Sequence, residues 1–202
     1  MAELIFIDPR FDALRNAIYH TDRRNFLDLL NRILNFIVII LGAGVAAKAA
    51  NQFNFAEWWL EFGVIFVATS QLVFDFGSRA RTHEFLQKRY YEMLSEMETD
   101  TAEPGDFGRK WSAKLLTVAA DEPITMRAID ALAYNQAVDA RTSDVAEAQR
   151  NRLHVSWFQR RLRHIIAFQA AEFLPVGEHQ TLLVRWSRWW QRKHERESHG
   201  EG

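Results

Sequence analysis

Two long apolar stretches dominate the pattern of hydrophobic and polar positions along this chain. The first covers residues 33–50 with Lys48 as its one charge, and the second covers residues 58–77 with Glu61 and Asp75 near its two ends. A helix needs about 20 predominantly apolar residues to cross the hydrocarbon core of a bilayer. Each stretch therefore predicts a membrane-spanning helix, and the short connector between them predicts a hairpin.

Basic residues flank the two stretches and are absent between them. They are Arg10, Arg15, Arg23, Arg24 and Arg32 before the first stretch and Arg79, Arg81, Lys88 and Arg89 after the second. The connector, residues 51–61, carries two glutamates and no lysine or arginine. This asymmetry places both termini in the cytoplasm. The uncharged centre of the second stretch, residues 62–74, is short enough to suit a buried helix of a soluble bundle, which is the alternative.

The remaining sequence has helical periodicity and no alternating strand pattern. We predict four segments: an N-terminal amphipathic helix at residues 1–32, the transmembrane hairpin at 33–78, a cytosolic helical domain at 79–175, and a basic tail rich in tryptophan and arginine at 176–202. The fold class predicted is an all-α membrane protein, with a transmembrane helical hairpin, an extended second helix and a cytosolic helical bundle.

Within the cytosolic part, local signals predict the helix boundaries. The second apolar stretch is expected to continue as one helix to about Glu98, and the glycines and proline of residues 99–108 predict a linker. Residues 121–123 (Asp-Glu-Pro) predict a helix start, because acids and proline suit the first turn. A last long helix is expected over residues 146–173.

A net charge of −1 conceals an uneven distribution. Residues 1–149 carry 15 basic and 21 acidic side chains, whereas residues 150–196 carry 10 basic and 3 acidic ones. The chain has no cysteine, which excludes disulfides and thiolate metal sites. The histidines lack metal-ligand spacing, and no phosphate-binding glycine loop or nucleophile motif occurs, so we expect no metal, no cofactor and no enzymatic activity.

The C-terminal basic residues form a candidate ligand site. They are Arg150, Arg152, His154, Arg160, Arg161, Arg163 and His164. Arginine recognises phosphate groups, and the nearby tryptophans suit base stacking or a lipid headgroup region. The site could take a nucleotide or oligonucleotide or anionic lipid. A solvated cytoplasmic face beside a membrane-surface helix is the simpler interpretation.

Polar and small residues inside the apolar stretches form the second candidate site. They are Asn35, Gly42, Gly44, Gln71 and Asp75. Polar groups in hydrocarbon are costly unless they are partnered or hydrated, and two helices alone cannot shield them. Self-association would shield them, either around a dry polar contact or around a water-filled pore. Both interpretations remain open on the sequence alone.

Arg15 and His20 form an R-x4-H pattern, the spacing found in ribonucleases of the HEPN type. An arginine and a histidine on one helix face can polarise a 2′-hydroxyl of RNA and transfer its proton. Because the pattern is short and the helix leads into an apolar stretch, a structural role for the two side chains is the default.

Several motifs resemble those of SLATT-type proteins. They are YHTDRRNFLDLLNR at residues 19–32, LGAG at 41–44, DEP at 121–123 and RAIDALAYN at 127–135. The order of parts, two spans followed by a cytosolic helical region, is also similar, and the resemblance covers residues 15–170. The tryptophan- and arginine-rich tail has no counterpart in the family pattern.

The resemblance implies a membrane effector of a bacterial antiviral, abortive-infection system. Such proteins are thought to assemble into pores in the inner membrane and are often encoded with a nucleotidyltransferase. In the Hailong-type arrangement, a short deoxyadenylate oligomer keeps the channel closed. We therefore predict a homo-oligomeric channel, with a tetramer as the expected assembly, gated through the cytosolic domain by a nucleotide or single-stranded oligonucleotide. The alternatives are a membrane-anchored ribonuclease that uses Arg15 and His20, and a non-conducting membrane scaffold.

Overall fold

The computed structural model of the chain describes residues 8–49 and 57–178. Within these ranges the regular elements are helices, as predicted for an all-α fold. Their bounds are α1 Pro9–Ala49, α2 Glu57–Phe74, α3 Phe76–Thr99, α4 Pro104–Ala119, α5 Arg127–Arg141, α6 Val145–Asn151 and α7 Trp157–Leu162. Residues 1–7 of the predicted N-terminal helix, residue 50 of the first apolar stretch, residues 51–56 of the predicted connector and residues 179–202 of the predicted tail lie outside the described ranges.

Helix α1 joins the predicted amphipathic helix and the first apolar stretch into one element of 41 residues. Its start follows from local chemistry: Pro9 occupies the first turn, and the Asp8 carboxylate accepts a hydrogen bond of 2.9 Å from the backbone N–H of Arg10. The first turn of a helix leaves backbone N–H groups without a partner. An acidic cap accepts a hydrogen bond from one of them, and a proline in this turn has no N–H group to satisfy. The expectation that the N-terminal helix continues directly into the apolar stretch is confirmed.

Asp75 interrupts the helix that the sequence predicts as continuous from the second apolar stretch to about Glu98. α2 ends at Phe74 and α3 begins at Phe76, and Asp75 between them has a positive φ of 41°. The left-handed region is costly for most residues but tolerated by aspartate and asparagine. The expectation of one unbroken helix was wrong, because a short polar side chain can both adopt this conformation and cap the helix that follows.

Helix α4 begins earlier than expected, so the predicted linker after α3 is shorter. Pro104 starts α4, and Gly105 and Gly108 lie within the helix. Phe107 and Trp111 are one turn apart on α4, and both are buried. Burial of two aromatic side chains outweighs the low helix propensity of glycine.

The C-terminal helices are shorter than predicted. α5 begins at Arg127 and not directly after the Asp-Glu-Pro motif, and the predicted helix over residues 146–173 is divided into α6 and α7. Ser156 begins α7 with a capping box shared with Gln159. An antiparallel bridge between Leu153 and Pro175 brings the chain back beside the segment that separates the two helices. The predicted continuous helix is therefore divided, because the cap starts a new helix at α7 and the bridge holds the preceding segment in an extended conformation.

The described chain divides into two units. Among the described residues, the first comprises 8–19 and 90–178, and the second comprises 20–49 and 57–89. α1 and α3 contribute residues to both.

Alanine-rich α5 forms the centre of the first unit. Ala128, Ala131, Ala133 and Ala137 are buried, and small side chains allow neighbouring helices to approach closely. One cluster joins Tyr134, Ala137 and Val138 of α5 to Phe11 of α1 and Ala148 of α6. The rings of Phe11 and Tyr134 meet edge to face, with centroids 5.2 Å apart.

The second unit pairs the later part of α1 with α2 and the beginning of α3. Its paired positions run in opposite directions along the chain: His20 contacts His83, and Asn35 contacts Gln71. Further along, a Cβ on Gly63 would lie 3.3 Å from Leu41. The segments are therefore antiparallel within this unit.

Candidate functional site

Asn35 of α1 and Gln71 of α2 form a direct hydrogen bond in the second unit. The Gln71 Nε2 group donates to Asn35 Oδ1 at 3.0 Å. Asn35 is exposed and Gln71 is half-buried in the single chain. The structure thus brings together two of the polar residues singled out from the sequence, and it leaves their pair at the surface.

Large apolar side chains around this pair are also exposed. Phe36 and Ile39 of α1 and Ile65 of α2 are each more than 60% exposed, and Leu72 is 83% exposed. Of the helices in the described ranges, one segment, Pro9–Ala46, is long and apolar enough to cross a membrane, and none of its most apolar 18-residue window is buried. This helix is compatible with membrane insertion.

The small residues of the first apolar stretch leave open space beside α1. A Cβ on Gly42 would meet no atom within 4 Å, and Gly44 is half-buried. By contrast, Gly63 of α2 lies against Leu41, where a side chain would be tight. Gly63 permits the two helices to approach within the chain, a role that the sequence analysis did not assign to it.

The Asp75 side chain makes its contact at the start of α3. Its Oδ1 atom accepts a hydrogen bond of 3.1 Å from the backbone N–H of Ser78, and its carbonyl oxygen accepts from the N–H of Arg79 at 3.1 Å. These are the contacts of a helix N-cap. The side chain is exposed, and it starts α3.

His20 and Arg15, the proposed ribonuclease pair, are engaged with different partners. His20 is fully buried, and its Nδ1 atom lies 2.8 Å from Nδ1 of His83. The Arg15 guanidinium instead forms two hydrogen bonds with the Asp130 carboxylate, of which the Nε–Oδ1 bond is 2.7 Å. A catalytic pair needs both groups accessible to one phosphodiester. In this structure the histidine faces another imidazole and the arginine faces a carboxylate.

An open cleft of about 420 Å³ in the first unit was not foreseen from the sequence. Asp12, Arg15, Glu122 and Asp130 line it, together with Asn16, Tyr19, Ser112, Leu115, Leu116, Ala119 and Thr125. Three carboxylates and one guanidinium give the lining an acidic balance. Such a cleft repels phosphate groups, so it does not suit the nucleotide ligand expected at the basic segment.

Burial and neighbouring charges shift several pKa values around this cleft. Burial raises the pKa of Asp12, where the attraction of Arg15 is outweighed by burial together with Asp8 and Asp130. Burial acts to lower the pKa of Arg15, but the hydrogen bond and charge of Asp130 reverse the direction and raise it. Burial and the hydrogen bond to Glu122 raise the pKa of the Tyr90 phenol. The Arg15 guanidinium is therefore held charged, and the Tyr90 phenol is held neutral.

The basic segment does not form one continuous helical face. Arg150 lies in the last turn of α6, whereas Arg160 and Arg161 lie in α7, and all three are exposed. Arg152 is committed to Asp139 through two hydrogen bonds of 2.8 and 2.7 Å, which raise its pKa. Among the described residues, the guanidinium groups of Arg160 and Arg161 form no ion pair with an acid.

The other members of the segment contribute to the local fold. The backbone N–H of His154 donates to the Leu174 carbonyl at 2.8 Å, which supports the adjacent bridge. Arg163 is half-buried and donates to the Arg160 carbonyl at 2.9 Å, and His164 is also half-buried. The exposed arginines 150, 160 and 161 are thus the members of the predicted ligand site most accessible to a partner.

Comparisons of the chain with protein-family models, with curated proteins and with solved structures find no match. The resemblance to SLATT-type proteins therefore rests on the sequence motifs given above.

Proposed function

We propose that this chain is the subunit of an oligomeric ion channel or pore in a bacterial inner membrane, with both termini in the cytoplasm. The observation that carries the proposal is the Asn35–Gln71 hydrogen bond among exposed apolar side chains of α1 and α2. In this proposal residues 33–49 of α1 together with α2 form the transmembrane hairpin, and the first unit forms the cytosolic bundle.

The exposed apolar surface favours a bilayer over water as the surroundings of α1 and α2. A soluble protein rarely leaves a contiguous surface of phenylalanine, isoleucine and leucine exposed. Burial of such a surface in lipid or against another copy of the chain is favourable by roughly 25 cal/mol per Å² of apolar area. The first apolar stretch also has the length that a span requires.

The polar pair requires more than one hairpin. A side-chain amide has two donor hydrogens and two acceptor sites on its oxygen, so one mutual hydrogen bond leaves both Asn35 and Gln71 with capacity unfilled. In hydrocarbon this is costly, and further copies of the hairpin or a column of water would satisfy the remaining groups. The open space beside Gly42 is available to such a neighbouring helix.

The basic segment and the SLATT resemblance supply the remainder of the proposal. A nucleotide or single-stranded oligonucleotide would bind the basic segment through Arg150 and change the open probability of the channel. The resemblance adds the role of effector in an antiviral, abortive-infection system, a tetrameric assembly and a partner nucleotidyltransferase. None of these steps requires the chain itself to catalyse a reaction.

Ion flux through proteoliposomes tests the channel. Wild-type protein is expected to conduct. In the double variant Asn35→Leu/Gln71→Leu the flux is expected to fall by at least about tenfold, because the two substitutions replace the polar side chains by an apolar contact. Asn25→Leu is the matched control: Asn25 is an exposed asparagine on the same helix but precedes the apolar stretch. Flux should remain in the control.

The ligand is tested in the same vesicles with short single-stranded oligonucleotides, such as oligodeoxyadenylate. An oligonucleotide should raise or lower wild-type flux, and Arg150→Gln should weaken the response. No flux from inserted, oligomeric protein would refute the channel and favour the non-conducting scaffold. The ribonuclease alternative has no observation in its favour here, since His20 is fully buried against His83.

A further inference from the structure

Residues 157–166 form an unusual surface in the first unit, because their large apolar side chains point into solvent. Trp157 and Ile165 are each 74% exposed, Phe158 is 55% exposed and Ile166 is 40% exposed. These values are those of surface side chains, although tryptophan, phenylalanine and isoleucine are the residues that folding usually buries. We call this segment the α7 surface.

Local hydrogen bonding holds the α7 surface in place. Ser156 and Gln159 cap the start of α7 reciprocally. At its end, the backbone N–H groups of Ile165 and Ile166 both donate to the Leu162 carbonyl, at 3.0 and 2.9 Å. The exposed apolar side chains are therefore displayed by an ordered turn of backbone.

Two arginines lie beside these apolar groups. Arg161 follows Trp157 by four positions and Phe158 by three, which places its side chain next to theirs on the helix surface. Arg160 is also exposed, and neither guanidinium has an acidic partner among the described residues. Between residues 148 and 171 the sequence contains no aspartate or glutamate. The surface is thus both apolar and uniformly basic.

We propose that the α7 surface docks on an anionic lipid bilayer. Tryptophan and phenylalanine next to arginine are suited to the boundary between headgroups and acyl chains, where the apolar body is buried and the cation meets lipid phosphate. Ile165 and Ile166 favour lipid over nucleic acid, because an aliphatic side chain offers no ring on which a base can stack. The arginines favour an anionic surface over a neutral one.

This docking goes beyond the proposed channel. It gives Arg160 and Arg161 a lipid partner and leaves Arg150 to the proposed soluble ligand. It also predicts that the lipid composition of the inner leaflet affects the first unit, whether or not α1 and α2 conduct ions.

The absence of cysteine from the chain allows a direct test with single introduced cysteines. Full-length Ile165→Cys carries an environment-sensitive fluorophore, and the protein is reconstituted in vesicles of neutral lipid or of neutral lipid mixed with phosphatidylglycerol. A quencher attached to the lipid acyl chains reports contact with the bilayer. We expect a blue shift and strong quenching in anionic vesicles and neither effect in neutral vesicles.

Val145→Cys is the matched control position. Val145 is an apolar residue that is 70% exposed, but Asp144 precedes it and Glu147 follows two positions later. A fluorophore there should stay in water in both kinds of vesicle. If the fluorophore itself drove insertion, both positions would be quenched alike, which would overturn the proposal.

The contribution of the arginines is measured by adding Arg160→Gln and Arg161→Gln to the Ile165→Cys protein. Each basic group near an anionic bilayer contributes about a fivefold factor, so the ratio of docked to undocked label should fall by roughly 25-fold. Unchanged quenching in this variant would contradict the proposal.

Two other occupants give distinct results. Protection of the label by added oligonucleotide, without lipid quenching, would identify nucleic acid as the partner. Protection that depends on protein concentration in detergent would identify a second copy of the chain. Either result overturns lipid docking. Ion flux is measured on the same vesicles, so that loss of the channel and loss of docking are separately visible.

Discussion

At the scale of single residues, Arg15 and Arg152 show how burial affects the contribution of an arginine–aspartate ion pair to stability. Each guanidinium forms two hydrogen bonds with one aspartate. The side chains of Arg15 and Asp130 are 30% and 21% exposed, whereas those of Arg152 and Asp139 are 44% and 38% exposed. Partial burial strengthens the first pair and also makes loss of one partner more costly.

We expect Arg15→Ala to destabilise the protein by about 2 kcal/mol, less than a fully buried pair would lose because part of the site faces solvent. The variant leaves Asp130 without its partner in a half-buried site. Arg152→Ala is the control and should change stability little. Thermal unfolding of both variants in detergent measures the difference, and equal losses would show that burial does not distinguish the two pairs.

The carboxyl groups of Asp12 and Asp100 should affect stability in opposite directions. Burial raises the pKa of Asp12, and a group whose pKa is higher in the folded state disfavours folding when it is ionised. Asp12→Asn is therefore expected to stabilise the protein at pH 7. The gain should vanish below about pH 4, where the carboxyl is protonated in both states.

Asp100 supplies the opposite case. The hydrogen bond from Lys110, followed by those from the Ala102 N–H and the Trp111 indole, lowers the pKa of Asp100 to about 2. Asp100→Asn should destabilise the protein at pH 7, and the loss should shrink as the pH falls from about 4 towards 2. Melting temperatures across this pH range test both variants. Changes of the same sign at pH 7 would contradict the assignment.

At the scale of elements, Asp75 explains why α2 and α3 are separate helices. It adopts a positive φ and caps α3 through the N–H of Ser78. A capping role requires a short polar side chain, whereas a role for its charge in ion conduction requires a carboxylate. These two roles predict different effects of conservative substitution.

We expect Asp75→Asn to retain stability, because asparagine caps helices and tolerates the left-handed region as well as aspartate does. Asp75→Leu should lose about 1 kcal/mol for the cap and a further 1–2 kcal/mol for the positive φ. Unfolding measurements on both variants test the capping role. Unchanged ion flux in Asp75→Asn would show that conduction does not require the charge of Asp75.

At the scale of the whole molecule, the proposed topology predicts which positions face the outside of a cell. Asn54→Cys in the connector should react with an impermeant thiol reagent in intact spheroplasts, since the connector lacks positive charge. Thr117→Cys, at an exposed position of α4, should react only after lysis. Protection of both cysteines until lysis would contradict the hairpin, and the absence of native cysteine keeps the background low.

Local sequence was sufficient for the helical class and for the continuation of the N-terminal helix into the first apolar stretch. Periodic apolar positions, an acidic cap and an early proline act between residues that are close in the chain, so they can be recognised without a fold. The same signals failed at Asp75 and again after residue 100. Burial of Phe107 and Trp111 extended α4 across two glycines, and a bridge from Leu153 to Pro175 ended the helix predicted over residues 146–173.

For the candidate sites, too, the sequence identified some features and only the tertiary structure decided the others. The sequence by itself identified the apolar stretches, the polar residues Asn35 and Gln71 within them and the uneven distribution of charge. Only the tertiary structure joined Asn35 to Gln71, placed His20 against His83 and assembled the acidic cleft from α1, α4 and α5 with the loop between them. Composition and periodicity are properties of neighbouring residues, whereas a hydrogen bond or a cleft depends on which distant segments pack together, and that is decided by the free energy of the whole fold.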